Sequence, residues 1–164
     1  MTFNEKHFEK LLSIKKSLDT VEEEFGTRTG YDWVKGLKVP LNIEFPGIES
    51  LKTPLNRQKL FELASDKNMK TITLCAAIFA WGGMHIDHGK RIFSDKDAEW
   101  IGVAEEIRGE EMTRKEAYDK FLTLRKNNKI KGMGPAFFTK LIFFYGRKKS
   151  KRSVTLWISG WAAQ

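Results

Sequence analysis

Apolar residues recur with a helical period along most of the chain. From Glu5 to Leu18 they fall at Phe8, Leu11, Leu12, Ile14 and Leu18, and Thr2 with Glu5 gives the capping-box pattern that starts a helix. Residues 26 to 54 break the period. Gly26, Gly30, Gly36, Pro40, Pro46, Gly47 and Pro54 predict a long irregular connection there, of the kind that wraps a core or carries function. Thr53-Pro54 predicts a second helix through about Ala64, with proline at its first position. The stretch from about Met69 to Trp81 is apolar nearly all round and is stopped by Gly82-Gly83, which predicts a buried central helix; its β-branched residues leave a strand as the alternative. Ser94 and Asp97 mark a helix to about Ile107, ended by Gly109. Thr113 and Glu116 mark another, through Ala117, Phe121, Leu122 and Leu124 to about Asn127. Pro135 heads a last helix to Tyr145, ended by Gly146. No internal repeat or low-complexity segment interrupts the series. The expected fold class is all-α, a compact bundle of about six helices.

With 164 residues, 41% hydrophobic and 30% charged, the chain reads as one helical domain over 1–164. A domain of this size buries roughly 70% of the surface its unfolded chain exposes, enough for a core without disulfides or metal. The one cysteine, Cys75, lies inside the apolar run Thr73 to Trp81, which excludes a disulfide framework and points to a reducing compartment. Met1 to Lys6 lacks an apolar signal core, and no apolar stretch approaches the roughly 20 residues that span a bilayer. The expectation is a monomeric cytoplasmic protein with no membrane contact.

Charge changes the picture more. The net charge is +8, and it is concentrated. Residues 121 to 152 hold ten basic side chains and no acidic one: Arg125, Lys126, Lys129, Lys131, Lys140, Arg147, Lys148, Lys149, Lys151 and Arg152. Of 29 basic residues this leaves 19 elsewhere, against 21 acidic ones. A single-sign patch of this density points to a polyanion, most often nucleic acid. A solvated basic tail over 147–164 is the plainer alternative.

Within that patch, Ile130-Lys131-Gly132-Met133-Gly134-Pro135 joins the last two helices. An apolar residue followed by Gly-x-Gly between a capped helix and a proline-led one is how a helix-hairpin-helix is written, here over about 113–146. The glycines permit a tight turn with accessible backbone N–H groups, and Pro135 starts a helix whose positive dipole end faces the same spot. A DNA phosphate suits it. Lys129, Lys131, Gly132, Met133, Gly134 and Lys140 are the candidate DNA contacts, the lysines adding salt-dependent affinity without reading sequence. An ordinary turn between two helices is the competing reading.

These residues also resemble a known family, the helix-hairpin-helix DNA glycosylases, and within it the bacterial branch with an 8-oxoguanine DNA glycosylase-like fold. The resemblance rests on Ile78 to Met84, on Thr113 to Tyr118, and on Lys131 to Leu141, in that order, and spans about residues 55 to 146. It implies an enzyme that clamps duplex DNA, rotates a damaged or modified nucleotide into a pocket and cleaves the bond between base and sugar. Flipping costs a few kcal/mol, least for a damaged or mispaired base. Trp33, Trp81 and Trp100 are candidate stacking surfaces, with the core as their plainer place.

Cleaving that bond develops positive charge on the sugar, so the chemistry wants a carboxylate nearby. The resemblance implies an Asp soon after the second hairpin helix, in a segment like Tyr-Ile-Met-Asp-Gln-Trp. This chain instead reads Ser153-Val154-Thr155-Leu156-Trp157-Ile158-Ser159-Gly160-Trp161. With Trp161 matched to the family's Trp, Ser159 stands at the Asp position. An adjacent reading frame through Val154 to Gly160 permits the family's segment, and the Trp157-Ile158 codons force its Asp. The expectation is a frameshifted or truncated C-terminus and a chain without excision activity. Family members that also cut the backbone use a lysine two residues after the second hairpin glycine, as a Schiff-base nucleophile. That position here is Ala136. Lys140, one turn on, is the nearest candidate, and lyase activity is not expected.

Other constellations carry less. His85-Ile86-Asp87-His88 lacks the ligands of a closed zinc site and predicts a polar loop. Glu22-Glu23-Glu24 and Glu105-Glu106 predict solvated helix faces. No phosphate-binding loop, dinucleotide fingerprint or nucleophile elbow occurs. No organic cofactor is expected, and a monovalent cation at the hairpin is the one ion considered. Beside the glycosylase reading stand a non-catalytic helix-hairpin-helix module that binds DNA, and a structural helical protein with a basic patch.

Overall fold

A computed structural model of the chain describes residues 29–38, 43–94 and 98–146. Among the described residues the fold is all-helical, with no strand. In chain order the elements are α1 (Gly30–Leu37), a 3-10 turn (Ile48–Leu51), α2 (Arg57–Ser65), α3 (Thr71–Trp81), α4 (Ile86–Ile92), α5 (Glu99–Arg108), α6 (Arg114–Lys126) and α7 (Pro135–Tyr145). The predicted helix Glu5 to Leu18 and the basic tail from residue 147 lie outside the described residues.

The sequence that is apolar nearly all round forms the hub. Every residue from Thr73 to Phe79 in α3 is buried, and the helix packs against α1, α2, α5 and α7. Such burial is what a helix without a polar face requires. Thr73, its buried polar side chain, donates Oγ1–H to the Pro46 carbonyl at 2.9 Å, which meets the need for a partner in the core. Phe93 and Trp100 close over Phe79, with ring centroids 5.5 to 6.0 Å apart. Cys75 is fully buried with its Sγ 3.0 Å from the Tyr145 Oη. Burial pushes its thiol up to about 12 and the Tyr145 phenol well above its ordinary value, so neither group ionises near neutrality. The helix ends in a Schellman motif: Met84 N–H reaches the Phe79 carbonyl at 2.9 Å while Gly83 turns left-handed at φ +75°.

Several boundaries differ from the sequence-based expectation. Residues 26 to 54 hold a helix, α1, because its glycines are close-packing positions rather than breaks. A Cβ on Gly30 would lie 2.9 Å from Leu55 Cδ1, and one on Gly36 would lie 2.8 Å from Ile86 Cδ1. Thr29 caps α1 by accepting the Asp32 N–H at 3.1 Å. Helix α2 begins at Arg57, not at Thr53-Pro54, since Asn56 supplies the cap through an Oδ1 to Lys59 N–H bond of 2.7 Å. The segment at His85 to His88 opens the short helix α4, capped by the His85 imidazole accepting from Asp87 N–H at 3.3 Å. Gly89 of α4 fits where a Cβ would lie 2.6 and 2.7 Å from Leu37 and Trp33. Helix α5 starts at Glu99 behind Ala98, without a side-chain cap. Ser94 donates its hydroxyl to the Arg91 carbonyl instead, and Asp97 lies outside the described residues.

A candidate nucleic-acid interface between α6 and α7

Helices α6 and α7 pack together, and their ends follow the sequence closely. Thr113 caps α6 with a reciprocal capping box: its Oγ1 accepts the Glu116 N–H at 3.3 Å, and the Glu116 carboxylate accepts the Thr113 N–H at 2.7 Å. Those bonds hold the Glu116 carboxyl below its ordinary value. Phe121 of α6 stacks on Phe138 of α7 at 5.3 Å and 7°, with Tyr118 edge-on at 5.4 Å. Across the far end, Arg114 donates to the Gly146 carbonyl at 3.0 Å, covering a carbonyl that α7 cannot satisfy itself.

The connection runs from Asn127 to Gly134. It begins with a second Schellman motif, in which Lys129 N–H bonds to Leu124 C=O at 2.9 Å and Asn128 N–H to Arg125 C=O at 3.0 Å, with Asn128 at φ +58°. A tight turn follows, closed by Met133 N–H to Ile130 C=O at 3.2 Å. Its third residue, Gly132, sits at φ +96°, where L side chains are strained. A Cβ there would also lie 3.1 Å from the His88 carbonyl oxygen and 3.6 Å from Arg91 Cβ. The turn is therefore docked on α4, and only glycine allows it. Ile130 and Met133 are buried at 4% and 2% exposure and anchor the turn from below.

Gly134 is the N-cap of α7, with ordinary extended backbone and nothing within 4 Å of a Cβ built on it. It offers no side-chain acceptor, and Pro135 has no N–H. The N–H groups of Gly132, Gly134 and Ala136 have no hydrogen-bond acceptor among the described residues. Bare amides at the positive end of an 11-residue helix make a place for an anion.

The predicted contact residues are distributed unevenly around this place. Lys131 is exposed on the turn itself. Lys129 is ion-paired to Glu99 at the start of α5. Met133 turns its side chain into the core, leaving only its backbone at the turn. Lys140 lies further along α7, half-buried, with Nζ 5.0 Å above the Phe137 ring. Its Cδ lies 3.0 Å from where a Gly82 Cβ would be. Its stem thus runs along the end of α3. Helix α7 carries no acidic residue, and Ser159 lies outside the described residues. Trp33 and Trp100 are core residues at 2% and 1% exposure, their indole N–H groups bonded to the Met84 and Ile92 carbonyls. Trp81 packs edge-on to Phe144 at 5.4 Å.

One basic residue beside the turn escapes a linear charge count. Arg91, on α4, stands far upstream of the basic segment, and the Gly132 contact brings it to the hairpin. Among the described residues no group of three or more His, Cys, Asp or Glu side chains is arranged to hold a metal ion, and no helix is long and apolar enough to cross a membrane.

The model of the family described as "Putative 8-oxoguanine DNA glycosylase OGG-like protein" matches residues 16–158 of this sequence. Neither the curated proteins nor the solved structures gave a match. The matched span takes in every described helix together with the α6–α7 turn, and by it the chain belongs to the 8-oxoguanine DNA glycosylase OGG-like family.

Proposed function

We propose that this protein grips duplex DNA through the α6–α7 turn acting as a helix-hairpin-helix, and that its fold serves the excision of a damaged or modified base. The observation that carries this reading is the bare N–H set of Gly134 and Ala136 at the head of α7, with Lys131 exposed beside it. A phosphate diester would be held by main-chain donors, and surrounding cations would raise its local concentration. Contacts of this kind give affinity without base sequence, which is what an enzyme searching for rare lesions needs.

Excision asks for one thing more, a carboxylate by the sugar. Ser159, at the position where the resemblance implies Asp, carries no charge, which favours a second reading in which this chain binds DNA without cutting it. Two measurements test both. Fluorescence anisotropy with a labelled duplex reports binding, expected to weaken steeply as salt rises; no binding at low salt overturns the proposal. Release of free base from duplexes carrying 8-oxoguanine and other lesions reports excision. Base release by the natural sequence favours the enzyme, release only after Ser159→Asp favours an enzyme that has lost its carboxylate, and salt-sensitive binding with no release from either favours the binding module.

A further inference from the structure

Beside the hairpin lies a groove of about 430 Å³ between the end of α4, the start of α5 and the turn, and its rim carries Arg91, Ser94, Asn128, Lys129 and Lys131 together with Glu99. Resting on the DNA-binding reading above, we infer that this groove is a second phosphate site, taking a backbone phosphate of the same duplex on Arg91 and Lys131, and that Glu99 regulates it by holding Lys129.

Three observations converge on it. The Gly132 contact fixes the turn against α4, so Arg91 and Lys131 belong to one rigid surface rather than to two mobile loops. Among the described residues no carboxylate pairs with the Arg91 guanidinium or with the Lys131 ammonium, although ion pairs engage Lys52, Lys59, Lys90, Lys115 and Lys120 elsewhere and Lys129 on the same rim. Two cations without a carboxylate partner among the described residues, along one groove, are suited to an external anion, and the planar fork of Arg91 matches two phosphate oxygens. Glu99, the one acidic side chain among the described residues that line the groove, is spent on Lys129. In the free protein Glu99 therefore stands where a phosphate would otherwise compete, and an arriving strand must displace it from Lys129. The pair sets a ceiling on non-specific affinity, which favours release and continued search.

Anisotropy titrations of the full chain with a lesion-free duplex, over a range of salt, test this. Arg91→Gln keeps most of the aliphatic stem and is expected to weaken binding about tenfold, with the slope of log K against log salt smaller by about 0.9. Arg91→Lys, which keeps the charge and loses the fork, is expected to restore the slope and part of the affinity. Glu99→Gln is expected to tighten binding about twofold to fivefold by freeing Lys129. Gly134→Asp, which sets a carboxylate among the hairpin amides, reports the hairpin alone. If it weakens binding while Arg91→Gln and Glu99→Gln change nothing, the groove is not a phosphate site and the hairpin reading stands. If Arg91→Gln weakens binding with the slope unchanged and no rescue by lysine, Arg91 acts through folding and the inference fails. If none of the variants alters binding, the hairpin reading falls and the groove with it.

Discussion

Gly134 offers a substitution in which stability and function should move in opposite directions. Its extended backbone is already that of an N-cap, and no atom would obstruct a side chain added there. In Gly134→Asp the new carboxylate can accept the Ala136 or Phe137 N–H, the bond that N-cap aspartates make. Replacing glycine by a capping residue contributes a few tenths of a kcal/mol, and a negative charge at the helix start about 0.3–1 kcal/mol more. A gain of about 0.5–1 kcal/mol corresponds to a rise in Tm of about 1–4 °C for a chain of this size. For DNA the same carboxylate is an obstacle: it fills the anion position and faces the phosphate it displaces. Two unit charges about 4 Å apart repel by about 1 kcal/mol in water and about 4 kcal/mol near a protein surface, so affinity should fall at least about fivefold. Thermal unfolding and anisotropy on one preparation read both effects. Gly134→Asn separates them, retaining a neutral cap with a smaller loss of binding. A stabilised Gly134→Asp variant that binds duplex as well as the natural sequence, at about 100 mM salt, would refute the phosphate site at the head of α7.

Gly132 is the opposite case. Gly132→Ala forces a left-handed residue and presses a methyl on the His88 carbonyl, and should cost about 1–3 kcal/mol, read as a lower midpoint in urea unfolding with an unchanged slope. The pH dependence of stability should include Glu116. Its carboxyl is held below the ordinary value in the folded state, so its contribution is complete at neutral pH and is lost as pH falls through the carboxylate range. Glu116→Gln should flatten that acid limb, and an unchanged limb would contradict the capping box as its cause. Cys75 should react with thiol reagents only through opening of the fold, because burial keeps the thiol protonated; modification of the native protein at the rate of a free cysteine would place α3 wrongly.

What could be read from the sequence was whatever local chemistry decides. The unbroken apolar surface of α3, the Thr113–Glu116 box, and the Pro135 and Gly146 limits of α7 each act within one turn of helix, and each is where the spacing places it. The errors share a cause. Gly30 and Gly36 look like breaks in one dimension, yet each marks a place where another element comes too close for a side chain. The His85 imidazole serves as a cap, a role outside the usual capping residues, so α4 reads as loop. Trp33 and Trp100 take the plainer of their two expected places, the core, where their N–H groups find carbonyls. Arg91 could not be grouped with the hairpin at all, because only tertiary packing joins them.

The short helix α4 is held between two contacts that admit no extra atom: Gly89 against Trp33 and Leu37 on one flank, and His88 against Gly132 on the other. Adjacent residues thus couple the buried floor of α1 to the α6–α7 turn, with no slack between them. A wedge so confined passes displacement on instead of absorbing it. Heat or an overlarge residue beneath Trp33 would then shift the grip on a nucleic acid before it melted the fold, and conditional loss-of-binding alleles should map to the interior of α1 as readily as to the hairpin.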